Sequence, residues 1–252
     1  MMRSIRTAAA AAVLVMISAC ASSNASRLAR LDADELFREG ETALRAREWN
    51  DAIEALERFT LTFPTHPRNQ EGRFLLGSAY MGKEEFITAA NEFARLADDY
   101  PAGPWADDAR FKVCEAYAEL SPHPQLDQEY TKAAIEHCQS LITYYPDSEF
   151  VPRAQEILDR MIGKLAEKQY LAGEFYRKRG AIDSAILYYE RMIEEYPTAP
   201  AVPKALLRLY EAYRRIGYAE EAEAARERLL REFPDSEQAR ELASRTSAGE
   251  GN

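Results

Sequence analysis

Asp183-Ser184-Ala185-Ile186-Leu187-Tyr188-Tyr189-Glu190-Arg191-Met192-Ile193-Glu194-Glu195-Tyr196-Pro197 sets the frame for the whole chain. Ala185, Tyr189 and Met192 are four and then three residues apart, which puts them on one face of an α-helix. Pro197 follows twelve residues after the alanine and ends that helix, because proline lacks the amide that a helix interior needs. The stretch reads as one helix with an apolar face, closed by an aromatic-proline pair.

Outward from it, the same frame fits Phe63-Pro64, Tyr100-Pro101, Tyr145-Pro146 and Phe233-Pro234. Twelve residues before each of the five prolines stands Ala52, Ala89, Ala134, Ala185 or Ala222, and five before it Phe59, Leu96, Leu141, Met192 or Leu229. A partner helix lies upstream, with Gly40, Gly77 and Gly173 twenty-four residues before their prolines and Tyr80, Tyr176 and Tyr213 twenty-one before. Small residues there let two helix backbones approach closely while aromatics fill the flanking space. The unit resembles the tetratricopeptide repeat, a helix pair of about 34 residues. The expected fold is all-α, a tetratricopeptide-repeat solenoid of five helix pairs whose concave face binds other proteins.

The intervals between prolines are 37, 45, 51 and 37 residues. The additions fall in the proline-rich loop Ser121-Pro122-His123-Pro124 and in a long helix from Pro152 to Arg179, which at 1.5 Å per residue is about 40 Å long. That helix is expected to link N-terminal repeats one to three, residues 31–146, with C-terminal repeats four and five and a closing helix, residues 147–244. Gly82-Lys83 is read as the turn of repeat two, and residues 245–252 as a disordered tail.

At the N-terminus, Arg3 and Arg6 precede an apolar and small-residue run from Thr7 to Ile17. The run is too short for a bilayer span of about 20 residues, so residues 1–19 read as a signal peptide. Ile17-Ser18-Ala19-Cys20 resembles the lipobox of bacterial lipoproteins, which implies acylation of Cys20. Ala21 stands where aspartate signals inner-membrane retention in many bacteria, so the resemblance implies an outer-membrane anchor facing the periplasm. Residues 20–30 are expected to be a mobile tether.

The net charge is −10, and no basic stripe argues for nucleic acid. His66, His123 and His137 lack metal-ligand spacing. No phosphate loop, nucleophile elbow or zinc-protease motif occurs. The reading is a protein without catalytic residues, metal or cofactor. Cys114 and Cys138 fall at the small-residue and packing positions of one helix pair once the insertion is allowed for, and in an oxidising compartment that placement permits a disulfide. Two buried free thiols are the alternative. Phe37, Phe74 and Phe111, each three residues before the small position, form a candidate stripe for an apolar or aromatic peptide, with packing between helices as the alternative. Arg177, Lys178, Arg179, Arg214 and Arg215 close two first helices. There they complement the helix dipole or offer a basic patch to an acidic partner.

From Leu126-Asp127-Gln128-Glu129-Tyr130 through Tyr144-Tyr145-Pro146-Asp147-Ser148 and Leu165-Ala166-Glu167 to Ala172-Gly173-Glu174-Phe175-Tyr176-Arg177-Lys178-Arg179-Gly180, the chain resembles the BamD family of outer-membrane protein assembly factors. The resemblance covers essentially the mature chain. It implies a non-enzymatic subunit of the machine that assembles and inserts β-barrel proteins into the outer membrane. C-terminal repeats would dock on a BamA-like barrel subunit and N-terminal repeats would receive unfolded outer-membrane proteins, with accessory lipoproteins as further partners. The rival is a periplasmic repeat lipoprotein coordinating cell-envelope or division machinery. Proteins of that kind carry an N-terminal trimeric coiled coil, for which Ala21 to Arg30 is too short.

Overall fold

The computed structural model describes the backbone of residues 26–249 and side chains as far as residue 244. The expected signal peptide, residues 1–19, and Cys20 lie outside the described residues. The chain order is α1 (Ala33–Ala46), α2 (Trp49–Thr62), α3 (Asn69–Gly82), α4 (Phe86–Asp99), α5 (Ala106–Leu120), α6 (Glu129–Tyr144), α7 (Val151–Lys178), α8 (Ile182–Glu195), α9 (Val202–Ile216), α10 (Ala219–Glu232) and α11 (Glu237–Gly249). Among the described residues, five helix pairs followed by a closing helix make an all-α tetratricopeptide-repeat fold.

The repeated sequence produces repeated geometry. Phe63, Tyr100, Tyr145, Tyr196 and Phe233 each end a second helix with φ between −122° and −134° and ψ between 51° and 63°. The following proline excludes the helical region for the residue before it. Each aromatic amide still donates to the carbonyl four residues back. Each aromatic carbonyl accepts from the residue three ahead: His66, Gly103, Ser148, Ala199 and Ser236. A helix stop and the turn after it are thus built by one dipeptide, five times.

The turn inside a pair repeats as well. Arg47, Glu84, Gly180 and Gly217, each seventeen residues before its proline, adopt positive φ of 61°, 64°, 78° and 86°. The amide one residue further on donates to the carbonyl five back, at Ala43, Tyr80, Tyr176 and Tyr213. The left-handed corner of repeat two is therefore Glu84, one residue beyond the expected Gly82-Lys83. Gly82 instead makes room for Trp49, since a Cβ there would collide with the indole ring.

Ala52, Ala89, Ala134 and Ala185 are fully buried and Ala222 nearly so. A Cβ on Gly40, Gly77 or Gly173 would overlap Leu56, Phe93 or Tyr189, the residue sixteen positions later on the paired helix. The absent side chain is what allows each pair to close.

Two compact units divide between Ala116 and Tyr117, inside α5. The long helix α7 lies within the second unit, packed on α6 and on α8. In that unit the insertion Ser121–Gln128 is pinned. Lys164 Nζ donates to the Ser121 carbonyl and hydroxyl at 3.0 and 2.7 Å, and Lys168 Nζ to the Leu126 carbonyl at 2.6 Å. Buried Gln128 donates to the His123 carbonyl at 2.9 Å and accepts from the Thr131 hydroxyl at 2.6 Å.

Both ends differ from the sequence expectation. Leu28 is buried with Leu36, Phe37, Ala55 and Phe59, so the last part of the expected tether belongs to the first unit's core. At the other end α11 continues to Gly249, into the stretch expected to be a tail. Ala239 and Leu242 bury this helix in the second unit's core, with α9 and α10.

Candidate functional site

The second unit holds a half-buried ionic network between α7 and α9. Glu174, on α7, accepts two bonds from Arg177, at 2.8 and 2.7 Å, and one from the buried Tyr189 hydroxyl at 2.6 Å. From α9, Arg208 Nε stands 3.3 Å from Glu174, and Arg208 also donates to Glu211 at 2.7 Å. Burial by itself would raise the Glu174 carboxyl; the bonds from Arg177 and Tyr189 and the charges of Arg177 and Arg208 outweigh it and hold the group down at about 2. Burial, reinforced by Glu174, pushes the Tyr189 hydroxyl upward. Arg208 is opposed by burial and more than compensated by Glu211 and Tyr170, so its guanidinium stays charged. A bidentate pair of this kind is strong because two parallel charge-assisted bonds share one geometry.

The network divides the predicted basic patch. Arg177 pairs with Glu174 one turn back on the same helix, and Glu174 in turn takes the Tyr189 hydroxyl and faces Arg208 from neighbouring helices. Lys178 and Arg179 are exposed, and the Arg179 guanidinium lies 3.5 Å over the ring of Phe175, itself 48% exposed. At the end of α9, Arg214 and Arg215 are exposed, and Arg214 donates to the Tyr210 hydroxyl at 3.1 Å. Gly180 and Gly217 end these two helices in the same left-handed conformation. Exposed cations therefore stand at two helix ends, Lys178 and Arg179 beside Phe175 on α7 and Arg214 and Arg215 on α9.

The phenylalanine stripe does not survive as a surface. Phe37 and Phe111 are 0% exposed. Phe37 packs edge-on against Phe59 at 5.4 Å, with the Arg68 guanidinium 3.5 Å over its ring. Phe74 is half-buried, 5.3 Å from Phe93 and stacked on Trp105 at 4.7 Å. The helix position that was expected to face a groove instead fills the gap to the next helix. Side chains with no accessible area cannot receive an incoming segment without repacking the core.

Cys114 and Cys138 are both fully buried and each is in a disulfide. His66 packs edge-on against Phe59 at 5.3 Å, and His137 stacks on Tyr117 at 4.8 Å. Among the described residues, no group of three or more His, Cys, Asp or Glu side chains could hold a metal ion, and no helix is long and apolar enough to cross a membrane.

Clefts occur at equivalent places in the two units. In the first, Glu57, Thr60, Pro64, Arg73, Leu76 and Arg95 line a space of about 500 Å³. In the second, Glu190, Ile193, Pro197, Leu206, Leu209 and Arg228 occupy the same repeat positions around about 600 Å³. Tyr80 donates to Glu57 beside the first cleft and Tyr213 to Glu190 beside the second. Sequence reading missed these interlocks between repeats. The signal was there: both glutamates stand seven residues before a proline and both tyrosines twenty-one before the next.

The outer membrane lipoprotein family YfiO matches residues 30–229. Among curated proteins, the chain is 28% identical to outer membrane protein assembly factor BamD of Caulobacter vibrioides, over 84% of this chain and 71% of that one. It is 27% identical to BamD of Rickettsia prowazekii, with 80% of each chain covered, and 26% identical to BamD of Vibrio cholerae, over 77% and 84%. Among solved structures, the TPR2AB domain of yeast Sti1 aligns with a TM-score of 0.44 at 20% identity, covering 82% of this chain and 80% of that one. With the family's pattern running through all five helix pairs, the chain belongs to the YfiO family of outer membrane lipoproteins.

Proposed function

We propose that this protein is a non-enzymatic scaffold subunit of the machinery that assembles β-barrel proteins into the outer membrane, held at that membrane by acylated Cys20 and facing the periplasm. The family match across residues 30–229 carries the reading, and the names of the relatives give it direction. The barrel subunit, a BamA-like protein, docks on these two helix ends, through Phe175, Lys178, Arg179, Arg214 and Arg215. Exposed cations beside an exposed aromatic suit an acidic partner surface with an apolar anchor point. Unfolded outer-membrane proteins engage the first unit, where Leu61 is 80% exposed beside a cleft. Buried Phe37 and Phe111 serve that unit's packing. Work is done by binding energy on rigid helix faces.

The test is affinity capture of the lipidated protein from detergent-solubilised membranes, comparing the parent with the triple variant Lys178→Glu, Arg179→Glu, Arg215→Glu. Arg177 is left untouched because it holds Glu174. Recovery of a large β-barrel protein with periplasmic repeat domains by the parent, and its loss from the variant, is expected. Equal recovery by both would remove the docking site and keep the assembly role. Recovery of division or cell-wall proteins in place of the barrel would overturn the reading and favour a scaffold of the division machinery.

A further inference from the structure

The segment before α1 is more than a spacer. Arg30 and Leu31 amides donate to the carbonyls of Arg27 and Leu28. Leu28 is 1% exposed within the core of the first repeat, and the Arg27 guanidinium lies 2.5 Å from Glu39. Asp32 then opens α1 with a full capping box, its carboxylate accepting from Glu35 N–H at 2.9 Å while the Glu35 side chain accepts from Asp32 N–H at 3.0 Å. A plain polar linker has no use for a buried leucine, whose burial removes apolar surface from water and favours the docked state.

We propose that Arg27–Leu31 is a staple that takes up the slack of the lipid tether and holds the first repeat at the phospholipid headgroup surface. The inference rests on acylation of Cys20, as proposed for the anchor. From Cys20 to Leu28 there are eight Cα steps, a reach of at most about 27 Å at ~3.4 Å per residue. Were the tether free as far as Asp32, twelve steps would give about 41 Å. Docking the staple therefore removes about a third of the reach. Charge does not supply the attraction: the cleft beside the staple is lined by Glu35, Glu39, Glu48, Asp51 and Glu54 with Arg27 and Arg38, and a net acidic surface is not drawn to anionic lipid. Tether length holds the first repeat in place, so its position is insensitive to salt. A receptor surface kept this close to the bilayer meets incoming membrane proteins where they insert.

The experiment uses the full lipidated chain in phospholipid vesicles, with a donor dye on Asn50→Cys, an exposed position of the first repeat, and an acceptor on lipid headgroups. Cys114 and Cys138 are in disulfides and do not compete for dye. Efficient transfer, equal at low and high salt, is expected. A Gly-Ser insertion of a dozen residues after Ser23, which leaves the staple intact, is expected to cut transfer by roughly half or more, since it more than doubles the permitted reach. Leu28→Asp is expected to lower transfer as well. Because that variant could unfold the repeat, hydrogen exchange on the parent gives a second reading: Arg30 and Leu31 amides are expected to be protected in the anchored protein. Free-coil exchange at both amides, or transfer unmoved by the insertion while intact mass shows acylated Cys20, would overturn the staple alone. A chain whose mass shows no acyl group at Cys20 would overturn the anchor reading, and the staple's membrane role with it.

Discussion

At the scale of single residues, some glycines in this fold mark the absence of room and others do not. Gly173 sits where a methyl group would enter the Tyr189 ring, whereas Gly163, ten residues earlier on the same helix, has its nearest neighbour, Pro200 Cδ, at an ordinary 3.8 Å. Gly173→Ala should therefore cost about 1–3 kcal/mol through overpacking. Gly163→Ala should stabilise by about 0.5–1 kcal/mol through helix propensity. Denaturant unfolding of both variants checks the pair, and loss of stability in both would refute the contact argument. Glu174 gives a pH signature. Its folded-state value of about 2 lies below the ordinary 4.5, so its contribution is complete above the unfolded value and is lost as pH falls from about 4.5 towards 2. Glu174→Gln should lower the melting temperature clearly at neutral pH and much less near pH 2. A gap that stays constant with pH would mean that its ionisation adds nothing.

At the scale of elements, each helix pair solves the same two corners, and the exceptions are informative. Glu84 fills with an L side chain the left-handed corner that Gly180 and Gly217 fill with glycine. Glu84→Gly should raise stability by about 0.5–1 kcal/mol, the relief of the left-handed cost exceeding the added chain entropy; thermal unfolding would show an upward shift, and a downward one would count against it. Repeat three carries cysteines at both places where repeats one, two and four carry Gly40 and Leu56, Gly77 and Phe93, and Gly173 and Tyr189, pairs that pack directly on one another. We propose that Cys114 and Cys138 are bonded to each other, a covalent version of that contact. A peptide map without reduction should recover both in one linked fragment, and reduction should cost about 3 kcal/mol for a loop of this length. Fragments that separate without reductant would disprove the pairing.

At the scale of the molecule, a chain of net charge −10 carries exposed cations at the ends of α7 and α9, Lys178 and Arg179 on one and Arg214 and Arg215 on the other. The proposed docking there should be steered by charge: the association rate with the proposed barrel partner should fall as salt rises while the dissociation rate changes little. Stopped-flow or surface kinetics at several salt concentrations would read this directly. A salt-independent association rate would place docking elsewhere.

Local rules govern everything in this protein that one line of residues makes legible. An aromatic before proline must leave the helical region, and alanine or glycine at fixed intervals must mark close helix approach, so the five pairs and their register could be read from one frame. Apolar periodicity tells which face is covered, not what covers it. Phe37, Phe74 and Phe111 share a face, but the neighbouring helices, once folded, are what enclosed Phe37 and Phe111 and stacked Phe74 under Trp105. Likewise Arg177 and Arg179 are two residues apart and alike in chemistry. Arg177 pairs with Glu174 one turn back and Arg179 lies over Phe175. Only folding, which brings Tyr189 and Arg208 from other helices onto Glu174, makes the first of these part of a half-buried network and leaves the second on the surface. Leu28 was hidden for the same reason: in a polar stretch a single leucine carries no periodicity, and its burial exists only once α1 and α2 have closed around it.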